Sequence, residues 1–108
     1  MFNHTPHTGE DGYAQAALVN PRLHEGAGLG AYVRYRTAEL PWLIQWKMMG
    51  LRDYVVGLEP GTNWTTGRAG ERAAGRLGVL EPGETRNYRV EIGVLGGAAD
   101  IGAFEAAL

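Results

Sequence analysis

The sequence contains no cysteine, which excludes a disulfide framework, a thiolate nucleophile and a cysteine-ligated zinc site. This absence fits a reducing compartment, so we expect the chain to be cytoplasmic. No run approaches the ~18 apolar residues of a membrane-spanning helix. Residues 1–7 also lack the basic and apolar segments of a signal peptide. The sequence therefore predicts no membrane partner.

An excess of charge of one sign is missing as well. The formal net charge is −2, and the arginines are spread among carboxylates rather than gathered in one run. Such a distribution predicts no nucleic-acid partner. The segment 67–70 lacks the lysine and the serine or threonine of a phosphate-binding loop, which excludes nucleotide binding.

Two histidines near the start are the only hint of a metal site. His4 and His7 lie three residues apart in a stretch interrupted by Pro6. Two histidines in an extended segment do not make up a ligand set, and no glutamate motif accompanies them. We therefore expect solvated loop histidines, and we predict neither a metal nor a cofactor.

The residues that are present favour one small β domain. Hydrophobic residues make up 44% of the 108 residues and charged residues 20%, which is typical of a globular chain. The 17 glycines disfavour helices and favour strands and turns. The fold class predicted from composition is therefore all-β.

Alternation of apolar and polar residues locates the strands. We predict five, over residues 14–20, 31–36, 42–48, 52–58 and 87–94. Gly50 permits a tight reversal, so the third and fourth strands are expected to form a hairpin. Glu59 then lies at the end of the fourth strand, before a glycine-rich loop over residues 60–78. Pro82 and Gly83 favour a type II turn, and residues 98–108 predict a short helix.

Two linked motifs resemble a known superfamily. Gly57-Leu58-Glu59-Pro60 at a strand end is followed by Leu80-Glu81-Pro82-Gly83-Glu84 before the last strand. This combination resembles the carboxy-terminal part of the galactose mutarotase (aldose 1-epimerase) superfamily, and it looks closest to its aldose-epimerase-like branch. The resemblance covers nearly all of the chain, including residues 40–48. It implies that residues 1–108 are one partial domain of a large antiparallel β-sandwich, the supersandwich.

The resemblance also implies a chemistry. In that superfamily the glutamate matching Glu59 is the general base toward the anomeric hydroxyl of a sugar. Histidines from earlier in the chain bind the sugar and protonate its ring oxygen, because ring opening needs both proton transfers. His4 and His7 lack the surrounding sequence of those histidines and receive no such role. We therefore expect epimerase-like chemistry in a full-length parent and an inactive isolated chain.

Further residues are candidates for contact with the sugar. An indole face matches the apolar C–H face of a hexose, so Trp64 is a candidate for stacking, with core packing as the alternative. Trp42 and Trp46 share a face with Ile44 and are expected in the core, with sugar stacking as the alternative. The polar binding candidates are Gln45 and Lys47, expected on the surface of Glu59, and Asn63 and Arg68 on the following loop.

Two other functions stay open at this point. A non-catalytic sugar-binding module would keep the aromatic and polar residues without needing Glu59, whereas a structural β domain would bind no hexose. Open sheet edges further predict self-association. For Lys47 and Arg68 an ordinary solvated charge is the alternative to sugar binding.

Overall fold

The computed structural model describes residues 1–108, which form two three-stranded antiparallel sheets and two α-helices. The strands are β1 (Phe2–His4), β2 (Tyr13–Asn20), β3 (Leu29–Arg36), β4 (Trp42–Met49), β5 (Tyr54–Gly61) and β6 (Val90–Leu95), and the helices are α1 (Gly67–Ala73) and α2 (Ala98–Ala106). Sheet A has the order β1-β4-β5, and sheet B has the order β2-β3-β6. The predicted β class is confirmed. Neither helix is long and apolar enough to span a membrane.

The β4–β5 hairpin is confirmed, and its register separates two faces of sheet A. Ile44 lies opposite Glu59, and Gln45 lies opposite Leu58. Directly opposed residues in an antiparallel pair share a face, and successive residues alternate between faces. We call one face the outer face; it carries Trp42, Ile44, Trp46, Gly57 and Glu59. The inner face carries Leu43, Gln45, Lys47 and Leu58.

The core lies between the inner face and sheet B. Tyr35, which is fully buried, clusters with Ala14, Val33 and Leu40. Leu43 and Leu58 pack against this cluster from sheet A. The outer face therefore points away from sheet B.

The position of two tryptophans differs from the expectation. Trp42 and Trp46 are half-buried on the outer face rather than in the core. The apolar period of β4 identified their shared face correctly, but the leucines on the other face fill the space between the sheets. The more apolar face of β4 is therefore not the side that meets sheet B, because the core contacts are made by Leu43 of β4 and Leu58 of β5.

Residues 62–77, which we call the covering segment, lie over one end of the outer face. The Thr65 hydroxyl donates to the Asn3 side-chain oxygen at 3.4 Å, and Asn3 is the cross-strand neighbour of Ile44. The prediction of a loop throughout residues 60–78 is wrong, because α1 occupies Gly67–Ala73. Two alanines and two arginines in that stretch favour a helix enough to offset its glycines.

The carboxy-terminal helix is confirmed and packs on sheet B. The Phe104 ring lies 5.5 Å from the Tyr32 ring, and Ile101 is only 9% exposed. The Pro82–Gly83 turn is also confirmed, since Gly83 has a φ of 81° and the Glu84 N–H donates to the Glu81 carbonyl at 2.9 Å. Positive φ at the third turn position is the signature of type II.

The last strand forms as predicted, but its apolar face has no cover. Val90, Ile92 and Val94 are 48%, 80% and 68% exposed. They lie on the same face of sheet B as Val33 and Tyr35, their cross-strand neighbours on β3. Sheet A covers only part of that face, so the apolar residues of β6 remain exposed although the amphipathic pattern predicts that they are buried.

Candidate functional site

Glu59 lies on the outer face with its carboxylate exposed and unpaired. The five ion pairs of the protein use other carboxylates. The side chain bends back along β5, so that a methyl group built on Gly57 would lie 2.5 Å from the Glu59 Oε1 atom. Gly57 is directly opposite Trp46, and opposed Cβ positions are about 5 Å apart. The carboxylate thus occupies a gap left by glycine, beside an indole.

Trp64 adds a second aromatic surface at the end of the outer face. Its ring meets Trp42 edge to face, with 5.2 Å between centroids. The Arg76 guanidinium lies 4.3 Å from the Trp64 ring centroid, which is a cation–π contact. The indole N–H of Trp64 is buried and has no partner in the protein. A buried indole N–H usually has an acceptor, so the Trp64 N–H is an exception in this structure.

A buried carboxylate fixes the covering segment. Glu71 is 1% exposed and accepts hydrogen bonds from the Trp64 backbone N–H at 3.1 Å and from the Arg76 Nε and Nη2 atoms at 3.0 and 2.9 Å. The Thr66 hydroxyl donates to it as well. These donors, the Arg76 guanidinium first, lower the pKa of Glu71 to about 2. Glu71 therefore stays charged at neutral pH and ties the start of the segment to its end.

Sequence reasoning missed the role of Glu71. A signal was present, because Glu71 and Arg76 carry opposite charges five residues apart in an otherwise glycine-rich stretch. That spacing is not the i, i+4 spacing of a helical ion pair. Arg76 reaches Glu71 only because the chain turns after α1 at Gly75, where φ is 70°.

Gln45 and Lys47 do not share a surface with Glu59, and that expectation is wrong. The β4–β5 register places both on the inner face. Lys47 lies with its ammonium 5.2 Å from the centroid of the Phe2 ring. Gln45 lines a groove between the sheets. Whether either residue binds a sugar stays a prediction.

The two predicted polar residues of the covering segment differ in their contacts. Asn63 is half-buried, accepts a hydrogen bond from the Thr62 hydroxyl at 2.9 Å, and donates to the Trp64 carbonyl at 3.4 Å. Arg68 is exposed on α1. Asn63 therefore supports Trp64 locally, whereas Arg68 projects from the segment.

A further cavity lies elsewhere, in the groove beside β2. It has a volume of about 770 Å³ and is lined by residues that include His4, His7 and Gln45. Arg34, also in its wall, is paired with Asp11 at 2.6 Å and lies 4.0 Å from the centroid of the Tyr13 ring. Arg34 and Asp11 therefore neutralise each other, whereas Glu10, also in the wall, has no ionic partner. No cluster of three potential metal-ligating side chains occurs in the structure.

Comparison with known proteins gives one family. No curated protein and no solved structure matches the chain. Residues 1–94 match the family described as a domain of unknown function, DUF4432. This range includes sheet A, the covering segment and nearly all of sheet B. The chain therefore belongs to the DUF4432 family.

Proposed function

We propose that this chain is a sugar-binding part of a galactose-mutarotase-like sandwich, and that the outer face of sheet A contacts the hexose. The observation that carries the proposal is the exposed, unpaired Glu59 carboxylate, which lies over Gly57 beside Trp46. It occurs in the motif by which the sequence resembles that superfamily. A free carboxylate next to an indole offers a hydroxyl acceptor and an apolar plane at once.

The covering segment extends this surface. Trp64 is held by its own backbone N–H bond to Glu71 and by the Arg76 guanidinium on its ring. A ring that is fixed before binding loses little conformational entropy when a sugar stacks on it. Trp64 thus contributes a preformed wall, and Asn63 lies immediately before it on the same segment.

The chemistry proposed for Glu59 is removal of the proton from the anomeric hydroxyl. When the ring then opens, the ring oxygen needs a proton from a second group. His4 is opposite Leu43 on the inner face of sheet A, so it does not face Glu59. The parent protein must supply the acid from another segment, and the isolated chain binds hexose without appreciable mutarotation.

Saturation-transfer-difference NMR with a panel of free hexoses tests the binding. We expect a transfer signal from at least one hexose with the native chain, loss of that signal in Trp46→Ala, and its retention in Leu51→Ala. Leu51 is 89% exposed in the β4–β5 turn and serves as the matched control. Absence of signal from every hexose would favour a structural β domain. If the Trp46→Ala variant still gives the full saturation-transfer signal from the hexose, the sugar does not bind at the outer face.

A further inference from the structure

The outward edge of β2 has unpaired backbone groups. The Thr37 N–H donates to the Gly12 carbonyl at 3.2 Å, next to the Tyr13–Arg36 pair. Since bonded and non-bonded pairs alternate in an antiparallel ladder, alternate residues from Tyr13 onward direct their N–H and C=O groups away from β3. Tyr13 is satisfied by the Asp11 carboxylate at 3.0 Å and the Gly9 N–H at 2.8 Å. The next three, Gln15, Ala17 and Val19, have no backbone partner.

The other sheet edges carry features that oppose strand pairing. β1 has only three residues and is followed by Pro6, and β5 contains Glu59 and Pro60. β6 has only six residues, and one of them is the charged Glu91. Short length, charge and proline are the usual protections of an edge. β2 has eight residues with neither charge nor proline, so it is the unprotected edge.

We propose that β2 pairs antiparallel with β2 of a second copy, which joins two B sheets into one continuous sheet. Pairing centred on Ala17 sets Ala17 against Ala17 of the second copy and Gln15 against Val19 of the second copy. The outward N–H and C=O groups of Gln15, Ala17 and Val19 then pair with the same groups of the second copy, which forms about six backbone hydrogen bonds.

Side chains and charges around β2 fit a second copy. Leu18, 52% exposed, comes to lie opposite Ala16 of the second copy and loses exposure to water. Glu10 precedes β2 and Arg22 follows it, so antiparallel pairing brings each acidic end toward a basic one. The groove of about 770 Å³ lies against residues 13–17, which leaves space beside this end of the strand.

Amide hydrogen exchange of the native chain, followed by NMR at several concentrations, tests the interface. We expect the Gln15, Ala17 and Val19 amides to exchange rapidly in dilute solution and to become protected as dimer forms. The Ala14, Ala16 and Leu18 amides lie in the β2–β3 ladder and should be protected at every concentration. Sedimentation should show a monomer–dimer equilibrium over the same range. A chain that stays monomeric, or a dimer with unprotected edge amides, overturns the proposal.

Two substitutions at one position sharpen the test. Ala17→Pro removes an outward N–H without removing a β2–β3 bond, and we expect dimer affinity to fall at least about tenfold. Ala17→Val keeps the N–H and should dimerise like the native chain. A folded Ala17→Pro variant with native affinity contradicts the proposal. If that variant does not fold, the exchange pattern of the native chain decides.

Discussion

The outer face of sheet A and the groove beside β2 offer different kinds of surface. The groove is a cavity of about 770 Å³ that contains His4, His7 and Gln45, and Arg34 and Asp11 in its wall already satisfy each other. The outer face is open, yet Glu59 there lacks an ionic partner and lies beside an indole. Concavity alone would select the groove, whereas the combination of a free carboxylate with a neighbouring indole selects the outer face.

The largest expected effect comes from removing the basic oxygen of Glu59. Glu59→Gln keeps the shape and hydrogen-bonding capacity of the side chain. In a longer DUF4432 member that supplies the second proton donor, we expect mutarotation to slow by roughly 10²–10⁴-fold, the usual contribution of general acid–base catalysis. Polarimetry with the bound hexose measures the rate. Hexose affinity should change far less.

The corresponding substitution in the groove is the control. Gln45→Ala, on the opposite face of sheet A, should leave turnover within about twofold of the native value if the outer face is the site. If Gln45→Ala slows the reaction as strongly as Glu59→Gln, the assignment of the two surfaces must be reversed.

Glu71→Gln should produce the next largest effect, by loosening the covering segment. The variant loses the charge that Arg76, Thr66 and the Trp64 N–H surround. We expect the midpoint of thermal unfolding at pH 7 to fall by more than about 5 °C, with a red shift of tryptophan fluorescence as Trp64 becomes wetter. Glu105→Gln, at an exposed position of α2, should change neither.

The contribution of the Glu71 charge to stability should depend on pH in a defined direction. The pKa of Glu71 is lowered from 4.5 to about 2 by Arg76 first of all. Its contribution to stability is therefore complete above pH 4.5 and is lost as the pH falls toward 2. The difference in melting temperature between the native chain and Glu71→Gln should shrink over that window. A difference that stays constant from pH 7 to pH 2 would show that the Glu71 charge is not what holds the segment.

Gly57→Ala should have the smallest effect, confined to the outer face. A methyl group there would lie 2.5 Å from the Glu59 Oε1 atom, so the carboxylate must move while the strand backbone stays. We expect hexose affinity to fall a few-fold, with stability changed by less than about 1 kcal/mol. Gly102→Ala is the matched control, since no atom lies within 4 Å of its added methyl group. If the two variants bind hexose with equal affinity, the space above Gly57 does not position the Glu59 carboxylate for binding.

Local patterns were sufficient to predict five of the six strands, but they missed β1, which contains His4, and the continuation of β5 beyond Glu59 to Gly61. The period of two in residues 42–58 and the reversal at Gly50 determine the hairpin, and with it the shared face of Ile44 and Glu59. The same period separates Gln45 from Glu59, so the error there came from not applying alternation across the pair. Pro82 and Gly83 likewise specify their turn through backbone preferences alone.

Features that depend on distant packing were beyond the sequence. The core side of β4 depends on which apolar face meets sheet B, and both faces carry large apolar side chains. The Glu71 cluster needs the chain to return after α1 before Arg76 reaches the carboxylate. The uncovered face of β6 results from the limited overlap of the two sheets, which no residue of β6 encodes.

A hexose titration followed through the indole and backbone N–H resonances tests the central claim most directly. If the outer face binds the sugar, we expect the Trp46 and Trp64 indole signals and the Gly57 amide signal to shift together, while the His4, His7 and Gln45 signals stay in place. Shifts confined to the groove residues, or no shift with any hexose, would contradict the outer face as the sugar-binding surface.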